Sequence, residues 1–236
     1  MVGMAGFLIA LLLAQPSSCD GIADAQKRAE AFDLLGAAQR LQAAVMSGCT
    51  DAVLPSIYLR GWIAARDAYR VGGSPESLRP VVRAIAMLQD IGRTGQAQIA
   101  ALVLQAAAAA AQSERDELAL MIDYALELED RNLTAKRQAL PMITAHEAAG
   151  DLWLQVYRYD DARKAYMRAS ERLGMTPRIR LGQARLAARV DAAATACAQY
   201  RSLVSSWNAA SPDPPELSEA RAFLTGPACQ SSAPRP

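Results

Sequence analysis

Histidine and aromatic residues are scarce: there is one His, His146, there are three Phe, and Phe, Trp and Tyr together make up 6% of 236 residues. That leaves little material for a histidine metal site or a base-stacking platform. Charge of one sign is also missing, since 25 Lys and Arg face 24 Asp and Glu, for a formal net charge of +1. Without a local patch, such a chain has no field to draw in nucleic acid or an anionic lipid surface. No GxSxG, HExxH, GxGxxG or Walker-type phosphate loop occurs, and no stretch alternates as a strand would. The apolar stretch Ala5–Ala14 and the charge-free run Ile99–Ala111 are both too short to span a bilayer as a helix.

What is present is apolar residue in quantity: 52% hydrophobic against 21% charged, which excludes intrinsic disorder. A 25.2 kDa chain suffices for one large domain or two small ones. The run from Ala5 to Ala14 has the length of a signal-peptide h-region, and Leu12-Leu13-Ala14 before Gln15-Pro16 suits cleavage after Ala14. Residues 1–14 are therefore expected to be a signal peptide, although no Lys or Arg precedes the apolar stretch. The alternatives are a buried first helix of a cytoplasmic protein and a lipoprotein acylated at Cys19. Four cysteines, Cys19, Cys49, Cys197 and Cys229, fall as an early and a late pair. An even count in an exported chain implies disulfides, with three possible connectivities. Local pairing, Cys19 with Cys49 and Cys197 with Cys229, closes loops worth about 3 to 4 kcal/mol each in the chain-entropy model. Four reduced cysteines in a cytosolic protein is the competing reading. The absence of CxxC or paired-histidine spacing argues against zinc.

Apolar residues at helical spacing, broken by Gly, Pro, Ser and Asp, predict helices near 21–47, 51–71, 75–91, 95–112, 114–130, 142–157, 159–173, 177–190, 192–208 and 214–225. Ser74-Pro75-Glu76 and Asp213-Pro214-Pro215-Glu216 each offer an N-cap followed by proline in the first turn, and Gly72-Gly73 ends the helix before. The last third repeats: Ala162 returns as Ala196, Tyr166 as Tyr200 and Ala169 as Leu203, each 34 residues on, a period that marks stacked helical hairpins.

Glu147–Ala169, with Gly150, Trp153, Tyr159, Ala162, Tyr166 and Ala169 at the motif positions, resembles a tetratricopeptide repeat. The segment from Arg178 to Val204 fits the same frame with Ala184, Ala196 and Tyr200, and residues 209–225 look like a capping helix. The likeness covers about 142–225 and is weaker over 51–130, where Ser77, Leu118 and their neighbours can be laid on the frame. The resemblance implies an all-α α-solenoid of stacked antiparallel hairpins. Its parts would be an N-terminal helical segment 15–50, degenerate hairpins 51–130, a linker 131–141, two repeats 142–208, the cap 209–225 and a tail 226–236.

In the resembled family a concave face is lined by the second, fifth, ninth, twelfth and thirteenth residues of each repeat. Those positions are Leu59, Trp62, Arg66, Tyr69 and Arg70; Ala100, Val103, Ala107, Ala110 and Ala111; Thr144, Glu147, Asp151, Leu154 and Gln155; and Arg178, Leu181, Arg185, Ala188 and Arg189. Arg185 and Arg189 stand one helical turn apart, spacing that suits a clamp on an acidic side chain or a peptide C-terminus. Arginine stems covering apolar surface is the plainer reading. Trp62, Arg66, Tyr69 and Arg70 have the composition of an interface hot spot, though Trp62 also suits a core.

His146 beside Glu147 is no acid–base pair, because adjacent helical residues diverge; a packing histidine is expected. Glu127, Glu129 and Asp130 read as a helix end and Asp160-Asp161 as a helix start; Asn132-Leu133-Thr134 matters only in a eukaryotic secretory setting. The expectation is therefore a non-catalytic, cofactor-free scaffold, periplasmic or secreted. It would bind a protein or peptide partner, with no nucleic acid and no membrane span after signal removal. An envelope-anchored assembly factor and an enzyme with an unfamiliar site are the alternatives.

Overall fold

In a computed structural model, described over residues 19–92, 95–135, 142–207 and 214–230, all regular structure is helical. The expected signal peptide, residues 1–14, lies outside the described residues. The helices are α1 (Asp20–Glu30), α2 (Leu34–Met46), α3 (Val53–Arg70), α4 (Pro75–Ile91), α5 (Gln96–Gln112), α6 (Arg115–Thr134), α7 (Ala145–Gln155), α8 (Tyr159–Leu173), α9 (Pro177–Arg189), α10 (Ala193–Ser206), α11 (Pro215–Thr225) and α12 (Pro227–Gln230), with a 3-10 turn at Thr50–Ala52. Among the described residues, no helix is long and apolar enough to cross a membrane.

Consecutive helices pack in pairs, α1 with α2 through α9 with α10, and α3, α5, α7 and α9 also touch in succession. Two differences from the sequence reading stand out. The helix expected over 21–47 is two helices, broken at Ala31–Asp33 without glycine or proline. There Phe32 adopts a left-handed φ of 58°, and Asp33 caps α2 by accepting from the Gly36 N–H at 2.8 Å and from Arg28 at 2.8 Å. The expected tail contains α12, held to α10 by a disulfide.

Both disulfides have the local pairing: Cys19–Cys49, Cα atoms 5.2 Å apart, and Cys197–Cys229, 5.7 Å. No cysteine is free. Two such bonds fit an oxidising environment.

The repeated positions are core. Ala162, Tyr166 and Ala169 of α8, and Ala196, Tyr200 and Leu203 of α10, are all buried, as are Leu118, Ile122 and Ala125 of α6 at the same spacing. In α4 the buried residues are Leu78, Val81, Ala84 and Leu88, and Ser77 is only half-buried. Twelve residues of α5 are buried, seven of them alanine from Ala97 to Ala110 and an eighth at Ala111. These small side chains let helices approach from several sides, so α3, α4, α6 and α7 all pack on α5. The face of α5 expected to be open, Ala100, Val103, Ala107, Ala110 and Ala111, is therefore covered.

Candidate functional site

A cavity of ≈ 440 Å³ lies where α3, α7 and α9 meet α11 and the α1–α2 turn. Its three principal helices are set in register by hydrogen bonds at both ends. At one end Thr144 caps α7 in a reciprocal box with Glu147, and the other oxygen of Glu147 accepts from the Thr176 hydroxyl at 2.7 Å. Thr176 in turn caps α9, with Pro177 in the first turn. Thr144 and Glu147, expected on the binding face, are thus engaged in aligning α7 with α9. From α3, the Tyr58 hydroxyl donates to the Ile143 carbonyl before α7, and the Tyr69 hydroxyl to the Gln155 carbonyl at its end, both at 2.9 Å. Two tyrosines on one helix thereby reach the two ends of α7.

The wall of the cavity brings together Trp62, Arg66 and Tyr69 from α3, and Asp151, Leu154 and Gln155 from α7. From α9 it takes Arg178, Leu181, Arg185, Ala188 and Arg189. Six of the seven residues predicted for binding are therefore neighbours. The seventh, Arg70, does not line the cavity; it pairs with Asp67 at 3.2 Å on an exposed surface and borders an adjoining crevice that shares Phe32, Arg66 and Glu216 with the cavity.

Sequence reasoning missed Phe32, Tyr157, Tyr200, Glu216 and Glu219, which complete the lining. Glu219 of α11 takes the Arg185 guanidinium on both carboxylate oxygens, at 2.9 and 2.5 Å, and also accepts from the Tyr200 hydroxyl at 3.0 Å. Burial opposes the Arg185 charge, but Glu219 and the nearby carboxylates hold its pKa above the ordinary arginine value. Burial would raise the Glu219 carboxyl, and Arg185 pulls it below its usual range. Arg185 thus already grips a carboxylate that the chain itself supplies.

The remaining pairs are looser. Arg66 stands 3.7 Å from Glu216 and Arg178 3.6 Å from Asp151, beyond charge-assisted hydrogen-bond length. Burial lowers the pKa of Arg66, with Asp151 and Glu216 opposing. Asp151 also accepts from the Tyr166 hydroxyl at 2.8 Å. Arg189 is exposed and makes no salt bridge among the described residues.

His146 lies elsewhere, almost wholly buried, its Nε2 2.9 Å from Asp130; Glu147 is not its partner. No cluster of three or more His, Cys, Asp or Glu among the described residues is arranged to hold a metal. Compared with protein-family models, curated proteins and solved structures, the chain matches none.

Proposed function

We propose that the chain is an exported, non-catalytic helical-repeat scaffold, a tetratricopeptide-like α-solenoid that binds a protein or peptide partner over the face made by α3, α7 and α9. The observation that carries this reading is the convergence of residues from three separate repeat units, at equivalent repeat positions, on the wall of one cavity. An aromatic and arginine-rich lining is the composition from which interface hot spots are built. At the mouth, where α7 and α9 end, Tyr157 is 60% exposed, and Arg189, exposed and without a salt bridge among the described residues, can hold a carboxylate. An acidic side chain or a C-terminal carboxylate is the group it suits.

Two disulfides support a periplasmic or secreted location over a cytosolic one. The Cys19 sulfur is bonded to Cys49, which leaves no thiol there for a lipid and favours a released protein over an anchored one.

The test is selection from a random peptide library on the oxidised full chain, with each selected peptide made as free acid and as amide. Arg189→Glu is expected to weaken binding about tenfold or more. Glu219→Gln is expected to strengthen it by releasing Arg185. Failure to enrich any peptide, or affinities indifferent to both changes, sinks the proposal.

A further inference from the structure

Two imperfect ion pairs face the interior of the cavity, and each leaves polar atoms unused. The Nη2 of Arg178, the Oε2 of Glu216 and the Nε1 of Trp62 are buried without a hydrogen-bond partner among the described residues. Trp62 and Glu216 are only 2% and 8% exposed. Buried groups of this kind are rare in folded proteins and costly to leave unmatched. All three line the same space, as do Arg66 and Asp151.

The unused set is two donors, one of them cationic, and one anionic acceptor. A simple anion would match Arg178 and Trp62 and be repelled by Glu216 and Asp151. A simple cation would match Glu216 and meet Arg66 and Arg178. Only a ligand carrying both signs satisfies both ends. Beside these groups the lining is apolar at Phe32, Leu154 and Leu181, and ≈ 440 Å³ sits in the lower range of small-molecule pockets.

We infer that the interior of this cavity binds a small zwitterion, a free amino acid with an apolar side chain, whose carboxylate lies against Arg178 and Trp62 and whose ammonium lies against Glu216. The inference goes beyond the peptide reading and does not rest on it. A peptide held at the mouth uses Arg189 and Tyr157, whereas the zwitterion uses groups deeper in the cavity.

The experiment is calorimetric titration of the oxidised full chain with free apolar L-amino acids from alanine to phenylalanine, each alongside its N-acetyl acid and its carboxamide. At least one free amino acid is expected to bind saturably, with both derivatives weaker by about tenfold or more. Arg178→Gln and Glu216→Gln should each weaken the parent by a similar factor, while the exposed Arg79→Gln of α4 should not. The derivative series needs no variant, so a misfolded mutant cannot decide the outcome. Absence of saturation by about 10 mM overturns the inference, as does an N-acetyl acid that binds as tightly as its parent. Peptide selection and amino-acid titration are separate measurements on one wild-type chain, so either reading can fail alone.

Discussion

Phe32 lies flat on Trp207, ring centroids 5.4 Å apart and planes 11° from parallel, joining the turn of the first helix pair to the end of α10. The guanidinium of Arg178 stands 6.0 Å from the Phe32 ring on the cavity side. The contact is made by a residue with a φ of 58°, a conformation that disfavours any side chain with a Cβ by roughly 1 to 2 kcal/mol. The ring must more than offset that cost. Phe32→Ala keeps the strained φ and loses the ring, and is expected to destabilise the fold by about 3 kcal/mol. Phe32→Gly loses the ring and relieves the backbone, so it should cost about 1 kcal/mol less than the alanine variant. Urea denaturation of the two proteins checks the order; a glycine variant less stable than the alanine one would mean the turn does not hold this φ.

Tyr166 of α8 packs against the backbones of both α7 and α9. A Cβ added at Gly150 or at Gly182 would overlap its ring. Glycine in a helix normally costs about 1 kcal/mol relative to alanine, so Gly→Ala would stabilise if the space were open. Here each substitution is expected to lower stability by about 1 to 3 kcal/mol through overpacking. In a Tyr166→Ala background the clash is gone and Gly150→Ala should become neutral or favourable. That non-additivity is the signature of direct contact; additive effects would exclude it.

The α8 and α10 positions were legible because packing repeats the same spacing: Ala162, Tyr166 and Ala169 do in one unit what Ala196, Tyr200 and Leu203 do in the next. The repeat frame of the resembled family likewise grouped Trp62, Arg66 and Tyr69 on one face of α3, and Arg178, Arg185 and Arg189 on one face of α9. The break at Phe32 was hidden because it is stabilised by distant partners, Trp207 and Arg178, and by a capping Asp33 rather than by glycine or proline. Glu216 was visible only as an acidic residue in the first turn of a helix, and Glu219 as one in the turn after it. Nothing local shows that α11 carries them to Arg66 on α3 and Arg185 on α9. The coverage of α5 followed from alanine in a way that spacing could not reveal, because small side chains permit approach from every side.

His146 gives the protein a pH dependence whose sign is set by its surroundings. It faces Asp130 at 2.9 Å, and Asp130 also pairs with Arg172 at 3.3 Å and with Arg168. The buried Glu129 accepts from the His146 backbone N–H at 3.1 Å. Burial lowers the imidazole pKa, Asp130 opposes, and Arg168 and Arg172 lower it further. For Asp130, burial raises the pKa, but Arg168 and His146 outweigh it and hold the carboxyl below its ordinary value. Both groups therefore take up protons more readily when unfolded, and stability is lost as pH falls. The histidine part should disappear from about pH 6.5 downward, and the Asp130 part only below its ordinary value of 3.8. Urea midpoints measured between about pH 7.5 and 5 should fall in the wild type and fall less in His146→Gln. A slope unchanged by that substitution would assign the dependence to other groups.

The two disulfides close loops of nearly equal length, with sequence separations of 30 and 32, so the chain-entropy model gives each about 3 to 4 kcal/mol. Any difference between removing one and removing the other must come from the folded side. Cys19–Cys49 fastens the first helix pair, which α2 also packs onto α3. Cys197–Cys229 fastens α12, and through it α11, the helix that brings Glu219 to Arg185 and Glu216 towards Arg66. The Cys197→Ala/Cys229→Ala protein is therefore expected to lose more stability than the Cys19→Ala/Cys49→Ala protein. Its α11 amides should also exchange hydrogen faster than the rest of the fold, as a locally opening unit does. In that background Glu219→Gln should cost less than in the disulfide-bonded chain, because the ion pair would already be partly open. Equal losses for the two double variants, with α11 exchange unchanged, would show that the helix docks on its own contacts and that the bond merely shortens the unfolded chain.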